Sequence, residues 1–342
     1  MLAGVLYGKE HLEVEPVAVP HVGPGDILVR VKAALTCGTD VKVFRRGYHA
    51  RMIIPPAVFG HELAGDVVAV GEGVTAFRVG QRVVAANSAP CGRCYCCIRG
   101  QENLCEDLLF NNGAYAEYIR IPSRIVERNT YEIPARISYL DAALVEPLAC
   151  VLRGLEETAV RPGDVLAVIG LGPIGLMFVR LAKNAGARVI ALGRRQMQLD
   201  RAAALGADEL LLTREITDPV RAVKDLTGGR GADIAIEAVG KPQTWELCVR
   251  LVRKGGTVNF FGGCPSDSKV SLETALLHYS EITCKASFHH TPAHIRKALD
   301  LITRRVITAG DFVNREEPLV NLLSVMRHLM SHNGHLKTAI IP

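Results

Sequence analysis

The run Gly170-Leu-Gly172-Pro173-Ile174-Gly175 constrains this chain more than any other feature, because of what stands on either side of it. The apolar run Val165-Leu-Ala-Val-Ile169 precedes it; a helical pattern from Leu176 to Ala185 follows, and then a second apolar run, Arg188-Val-Ile-Ala-Leu192. Strand, glycine turn, helix and strand make one βαβ unit of a parallel sheet. In that setting G-x-G-x-x-G is a dinucleotide fingerprint. Gly170 permits the tight turn, Gly172 lets the backbone approach a pyrophosphate, and Gly175 lets helix and strand pack closely. Free N–H groups at the helix start, around Pro173 and Ile174, then face the phosphates. The other reading is a glycine-rich turn with no ligand.

The end of the second strand bears on which dinucleotide. An NAD site offers Asp or Glu to the ribose 2′-hydroxyl about 20 residues past the first glycines. Here the chain reads Ala191-Leu-Gly-Arg194-Arg195, with no carboxylate before Asp200. Two guanidinium groups suit a 2′-phosphate, so NADP is expected over NAD. Solvated surface arginines are the alternative. Further apolar runs at Ala232-Asp-Ile-Ala-Ile236 and Thr257-Val-Asn-Phe-Phe261, each followed closely by Gly, extend the parallel sheet to about residue 285.

Before Val165 the text changes to short alternating apolar runs, such as Ile27-Leu-Val-Arg-Val31 and Val67-Val-Ala-Val70, punctuated by Gly and Pro. That is a β-rich segment. A length of 342 residues predicts roughly two domains. The expected division is 1–150 β-rich, 151–286 dinucleotide-binding, and 287–342 packing back on the first, with a final strand at Thr338-Ala-Ile-Ile341. A hydrophobic content of 49% excludes a disordered chain, and a formal charge of +5 without a dense basic run argues against nucleic acid. No apolar stretch reaches the roughly 18 residues of a membrane span. Lys9 and Glu10 interrupt the start where a secretory signal needs an apolar core, so a cytoplasmic address is expected.

Ten cysteines in such a chain point to metal or thiol chemistry rather than disulfides. Cys91-x2-Cys94-x2-Cys97-x7-Cys105 supplies four thiolates in one loop, enough to close a tetrahedral zinc shell with no open position. Such a site is structural; a nucleic-acid zinc knuckle is disfavoured by sparse aromatic and basic interleaving. Cys96 is a bystander, and Cys150, Cys248, Cys264 and Cys284 read as core filling. A second set is dispersed: Cys37 in Cys-Gly-Thr-Asp, His61 and Glu62 in Gly-His-Glu, and Glu146 in Val-Glu-Pro-Leu-Ala-Cys. Spacing alone leaves His61 readable as a core histidine and Glu146 as a surface carboxylate.

Gly60-His61-Glu62-x2-Gly65-x5-Gly71-x2-Val74, with the four-cysteine loop and the glycine-rich βαβ unit, resembles the zinc-containing medium-chain dehydrogenases, in particular the polyol (sorbitol-type) and threonine dehydrogenase branch. The likeness covers nearly the whole chain, including Glu-Ala-Val-Gly at 237–240 and Phe-Gly-Gly at 261–263, loops that in this family approach the nicotinamide. It implies an α/β protein: a GroES-like β-rich catalytic domain built from both chain ends, and an inserted Rossmann coenzyme domain with a doubly wound parallel sheet. It also implies that Cys37, His61 and Glu146 are catalytic zinc ligands. Glu62 falls on a carboxylate that ligates directly or stands behind a zinc-bound water. Glutamate at 146, where classical alcohol dehydrogenases have cysteine, draws the chain toward the polyol branch.

The implied activity is an oxidoreductase moving a hydride between a secondary alcohol of polyol or sugar type, or its ketone, and a nicotinamide cofactor. Thr39 matches the family's Ser/Thr whose hydroxyl accepts from the alcohol and donates onward; capping a helix that starts here is its other role. Many relatives place a relay histidine where this chain has Lys42, so the proton exit is water, Lys42 or His49, or else Lys42 serves the cofactor's phosphate or ribose. Arg45, Arg46, Tyr48, His49 and Arg51 read either as a polar substrate-cleft stretch, suited to a hydroxylated or anionic substrate, or as a solvated loop. A homodimer or homotetramer is implied. The rivals are a zinc-free quinone or enone reductase of the superfamily, which lacks the Cys37, His61 and Glu146 set, and a non-enzymatic cofactor-binding protein.

Overall fold

The computed structural model describes residues 1–49, 51–331 and 336–342, and divides into two compact units, Met1–Ala149 with His290–Pro342, and Cys150–His289. The second boundary falls past residue 286 because Ser287 is buried and hydrogen-bonded by Asn259 Nδ2 at 2.9 Å, within the inserted unit. His290, by contrast, contacts Asn87 Oδ1 at 3.1 Å in the first unit.

The first unit is built around a seven-stranded sheet in the order Thr130–Glu132, Arg82–Ala85, Glu62–Val70, Ile27–Leu35, Lys337–Ile341, Val313–Pro318, with Tyr118–Ile121 also pairing Ile27–Leu35. Along Ile27–Leu35 every apolar residue is buried, Arg30 is exposed and Lys32 half-buried, so the strand is a central, largely buried one with alternation only around Arg30 and Lys32. Each such apolar side chain, fully buried, contributes about 1.5–3 kcal/mol. Phe44, Phe59 and Tyr115 are the largest residues of this core.

Two strand registers bring distant residues to one edge of this sheet. Leu35 pairs with Glu62 antiparallel, so the residues just after one strand and just before the other, Cys37 and His61, emerge at the same edge. Ala339 pairs with Leu35, and Thr338 N donates to Thr36 Oγ1 at 2.9 Å, which brings Lys337 to that edge from the other end of the chain.

The helix Gly38–Arg46 begins at this edge. Cys37 is its N-cap: its sulfur accepts from Thr39 N at 3.5 Å, while Asp40 reaches back to Cys37 N at 3.0 Å, a reciprocal capping box. The capping role open to Thr39 therefore belongs to Cys37 and Asp40, whose spacing of three residues is what a capping box requires. Gly47, at φ 96°, ends the helix in the left-handed conformation that glycine adopts without steric cost.

The inserted unit is a six-stranded, all-parallel sheet in the order Glu209–Leu212, Arg188–Gly193, Val165–Ile169, Ala232–Glu237, Val252–Phe260, Thr283–Ala286. The order reverses direction at Val165–Ile169, the switch point where such sheets bind ligands at the carboxyl ends of their strands. No helix among the described residues is long and apolar enough to cross a membrane.

Candidate metal and cofactor sites

Ligand atoms of Cys37, His61 and Glu62 all lie within 4.8 Å of one another, and His61 and Glu62 are buried at 4% and 0% exposure. A thiol, an imidazole and a carboxylate in so tight a group, below the surface, fit a divalent metal of borderline softness such as zinc. Glu146 stands outside that set, its Oε1 3.8 Å from His290 Nε2, but its charge reaches Glu62 and Lys337 electrostatically.

The surroundings hold these groups in place. His61 Nδ1 is 2.9 Å from Asp40 Oδ1, so the imidazole donates there and turns Nε2 away from Asp40. Burial works against a charged His61, yet the Asp40 carboxylate more than restores it, and its pKa lies well above the ordinary value. Lys337 Nζ donates to both Glu62 oxygens at 2.7 Å and to Thr36 O at 3.0 Å. Burial pushes Glu62 up to about 7, against the pull of the Lys337 ammonium and with added repulsion from Glu146. Burial likewise opposes the Lys337 charge, but the Glu62 carboxylate outweighs it and holds the ammonium above its ordinary range, as the two-oxygen contact requires of an ion pair.

Gly60 has φ +90°, and a Cβ there would lie 2.7 Å from the ring of Tyr115. Only glycine lets the backbone turn into His61 against that ring. Sequence reasoning does not single out Asp40, Tyr115 or Lys337. Asp40 has a local signal, the capping-box spacing after Cys37; Lys337 has a faint one, a lone cation opening an apolar strand; Tyr115 has none beyond being a large residue between two alanines.

Thr39 and Lys42 lie on the helix that starts at Cys37, half-buried and exposed respectively. His49 Nδ1 accepts from Arg51 N at 3.2 Å and Met52 N at 3.1 Å. Burial lowers its pKa, and Arg46, His61 and Arg51 lower it further. The neutral ring therefore carries its proton on Nε2, and its one lone pair is already taken. In that form His49 presents Nε2–H as a hydrogen-bond donor.

Sγ atoms of Cys91, Cys94, Cys97 and Cys105 form the second tight set, also within 4.8 Å, with Cys91 and Cys97 4.0 Å apart and Cys94 and Cys105 3.8 Å apart. Backbone N–H groups point at the sulfurs, from Cys91 to Cys105, Cys94 to Cys91 and Glu106 to Cys94. The N–H groups of Glu106 and Cys97 push Cys94 down to about 6, while burial pushes Cys97 up to about 12. Four sulfurs with oriented donors fit a closed zinc shell. Cys96 is outside the set.

In the inserted unit Gly172 is the extended N-cap of helix Pro173–Asn184, and a Cβ there would meet nothing within 4 Å. The turn is open to a ligand at the point where the helix presents free N–H groups. Gly175 is the opposite case: a Cβ would fall 1.8 Å from Gly170 O, so close packing explains that glycine. Arg194 and Arg195 are exposed beyond strand Arg188–Gly193, and Thr213 Oγ1 donates to Gly193 O at 3.1 Å beside them. Buried Glu237 gathers Val239 N and Gly240 N at 2.9 Å and Thr244 Oγ1 at 2.6 Å, and Trp245 Nε1 donates to Gly262 O at 2.9 Å. Phe261 N and Gly262 N donate to Glu237 O at 3.0 and 2.8 Å, which fastens the loops 237–240 and 261–263 to each other.

Comparison with known proteins identifies the family of the chain. Residues 23–133 match the alcohol dehydrogenase GroES-like domain, and residues 173–304 match the zinc-binding dehydrogenase domain. Sorbitol dehydrogenase of Bacillus subtilis (strain 168) is 30% identical over 350 residues, covering 100% of this chain and 97% of that protein. L-threonine 3-dehydrogenase of Bacillus licheniformis is 36% identical over 258 residues, covering 74% and 73%. A structure described as a zinc-binding dehydrogenase from Sinorhizobium meliloti 1021, bound to NADP, superposes with a TM-score of 0.91 at 31% identity, covering 100% and 99%. The chain belongs to the zinc-binding alcohol dehydrogenase family, with a GroES-like domain and a Rossmann-type coenzyme domain. Its activity is that of a nicotinamide-dependent alcohol or polyol dehydrogenase.

Proposed function

We propose that the chain oxidises a secondary alcohol of polyol or sugar type, or reduces its ketone, with NADP in preference to NAD and with zinc held by Cys37, His61 and Glu146. The observation that carries this reading is the convergence of half-buried Cys37 with buried His61 and Glu62 at one sheet edge; Glu146, outside that group, joins the ligand set on the family resemblance. Zinc bound there supplies Lewis acidity, drawing the pKa of an oxygen acid toward about 7 so that the carbinol carbon can release a hydride. The chain's own residues do the rest. Asp40 fixes the His61 ring, and Lys337 keeps the Glu62 carboxylate behind the ligands. Thr39 accepts the alcohol proton at its hydroxyl and passes it on. With the Nδ1 of His49 occupied, that proton leaves through water or Lys42.

Cys91, Cys94, Cys97 and Cys105 hold a structural zinc. The turn Gly170 to Gly175 takes the pyrophosphate, and Arg194 and Arg195 take the 2′-phosphate, which is the ground for preferring NADP. The NADP-bound Sinorhizobium meliloti relative is consistent with that preference. Arg46 and Arg51 make ring contacts with Tyr48 and Phe110 and no carboxylate contact among the described residues. With the Nε2–H of His49 they favour a substrate bearing an anionic group. We place the protein in the cytoplasm, where its ten free thiols stay reduced. We also propose a homodimer or homotetramer, for which the exposed edge strand Thr283–Ala286 offers unpaired backbone groups.

A cofactor-reduction screen across polyols, sugars, sugar phosphates and 3-hydroxy amino acids, run with NADP and with NAD, tests the reading. Turnover of a polyol, sugar or sugar phosphate with NADP is expected; turnover confined to enones or quinones overturns it.

A further inference from the structure

We infer that Tyr115 is a positioning residue of the zinc site, its hydroxyl holding Asp40 so that the other Asp40 oxygen can hold the His61 ring. This rests on the reading of His61 as a ligand. Tyr115 Oη donates to Asp40 Oδ2 at 2.6 Å, Cys37 N donates to the same oxygen at 3.0 Å, and His61 Nδ1 lies 2.9 Å from Asp40 Oδ1. Tyr115, Asp40 and His61 are 0%, 1% and 4% exposed, so water does not compete for these contacts. Among the described residues no Lys or Arg pairs with Asp40. With a metal on Nε2 the His61 ring is neutral, and the Asp40 charge is met by three donors: a hydroxyl, a backbone N–H and the imidazole N–H. A buried carboxylate in that position depends on every donor it has.

The hydroxyl also lies 3.1 Å from Leu35 O, but a single proton goes to the shorter, charged acceptor. The ring is fixed independently. Tyr115 N donates to Phe59 O at 2.9 Å, its ring meets Phe59 edge-on at 5.7 Å, and Gly60 packs against it. Tyr115 thus grips the site at both ends, through the backbone that leads into His61 and through the carboxylate that orients the His61 ring. Removing the hydroxyl alone leaves the ring in its seat and lets the carboxylate turn. The His61 ring then loses the partner that keeps its proton on Nδ1 and its Nε2 lone pair available to a metal.

The test is Tyr115→Phe in the full chain, with zinc affinity measured by chelator competition and the His61 ring N–H observed by 15N NMR. About 10-fold or greater loss of affinity at the Cys37–His61 site is expected, with the four-cysteine zinc retained and the Nδ1 proton signal moved or lost to exchange. Asp40→Asn should give a larger loss, and adding Tyr115→Phe to it should change little more. If Tyr115→Phe only lowers the melting temperature, with zinc affinity and the His61 signal unchanged, the residue is structural and the inference fails. If the wild type binds no zinc beyond the four-cysteine ion, the zinc reading fails, and the His61 signal in the two proteins still decides the role of Tyr115.

Discussion

Lys337 Nζ lies 2.7 Å from both carboxylate oxygens of Glu62, at 3% and 0% side-chain exposure, across nearly the whole length of the chain. Neither charge has water to fall back on. Lys337→Met should therefore cost about 3–5 kcal/mol in urea unfolding, because it leaves Glu62 buried and unpaired. Replacing both partners by Met should recover most of that loss. A single substitution costing less than about 1 kcal/mol would mean the pair is not buried as described.

The two zinc sites should part under a chelator. The Cys37, His61 and Glu146 site needs a position open to substrate, whereas four sulfurs leave none. Dialysis against a chelator at neutral pH should remove the first ion with all activity and leave the far-ultraviolet circular dichroism intact. The second should leave only with unfolding, and Cys105→Ser should lower both zinc content and melting temperature.

Cofactor choice should rest on Arg194 and Arg195. A charge-assisted hydrogen bond to the 2′-phosphate is worth about 1.5–3 kcal/mol, so Arg194→Ala should lower kcat/KM for NADP about 10- to 100-fold while leaving NAD within about two-fold. A wild type that prefers NAD, or a variant that keeps its NADP turnover, contradicts the assignment.

Acid stability should depend on Asp141. Burial opposes its charge, but Ala309 N at 2.6 Å, Ser138 and Arg305 outweigh it and hold its pKa below the usual carboxylate range. A depressed folded pKa gives stability that is present above the unfolded value, near 3.9, and is lost as pH falls through the folded one. Asp141→Asn should cost about 2 kcal/mol at pH 7, and the gap to wild type should close as pH falls below about 4. A gap that does not change between about pH 7 and about pH 2.5 would show that the charge is not what matters.

What could be read from sequence was what is local in sequence. The glycine turn at 170–175 and the four cysteines at 91–105 carry their geometry in their spacing, because one turn or one loop holds the whole motif. Cys37, His61 and Glu146 have no such spacing. The first two meet because Leu35 pairs with Glu62, a register that alternation alone does not fix, and only the likeness to a known family named them together. Lys337 is further still from local signals: its place depends on Ala339 pairing with Leu35, a closing strand from the far end of the chain. Tyr115 reads as a core aromatic, and by burial it is one. Its hydroxyl becomes visible only when Asp40 is found 2.6 Å away.

The most direct measurement is zinc content together with alcohol-dependent NADP reduction, taken on the wild type and on Cys37→Ser. About two zinc per chain are expected in the wild type and about one in the variant, with reduction lost by at least about 1,000-fold. A variant that keeps both ions and its turnover would show that Cys37 holds no metal and that the chemistry lies elsewhere.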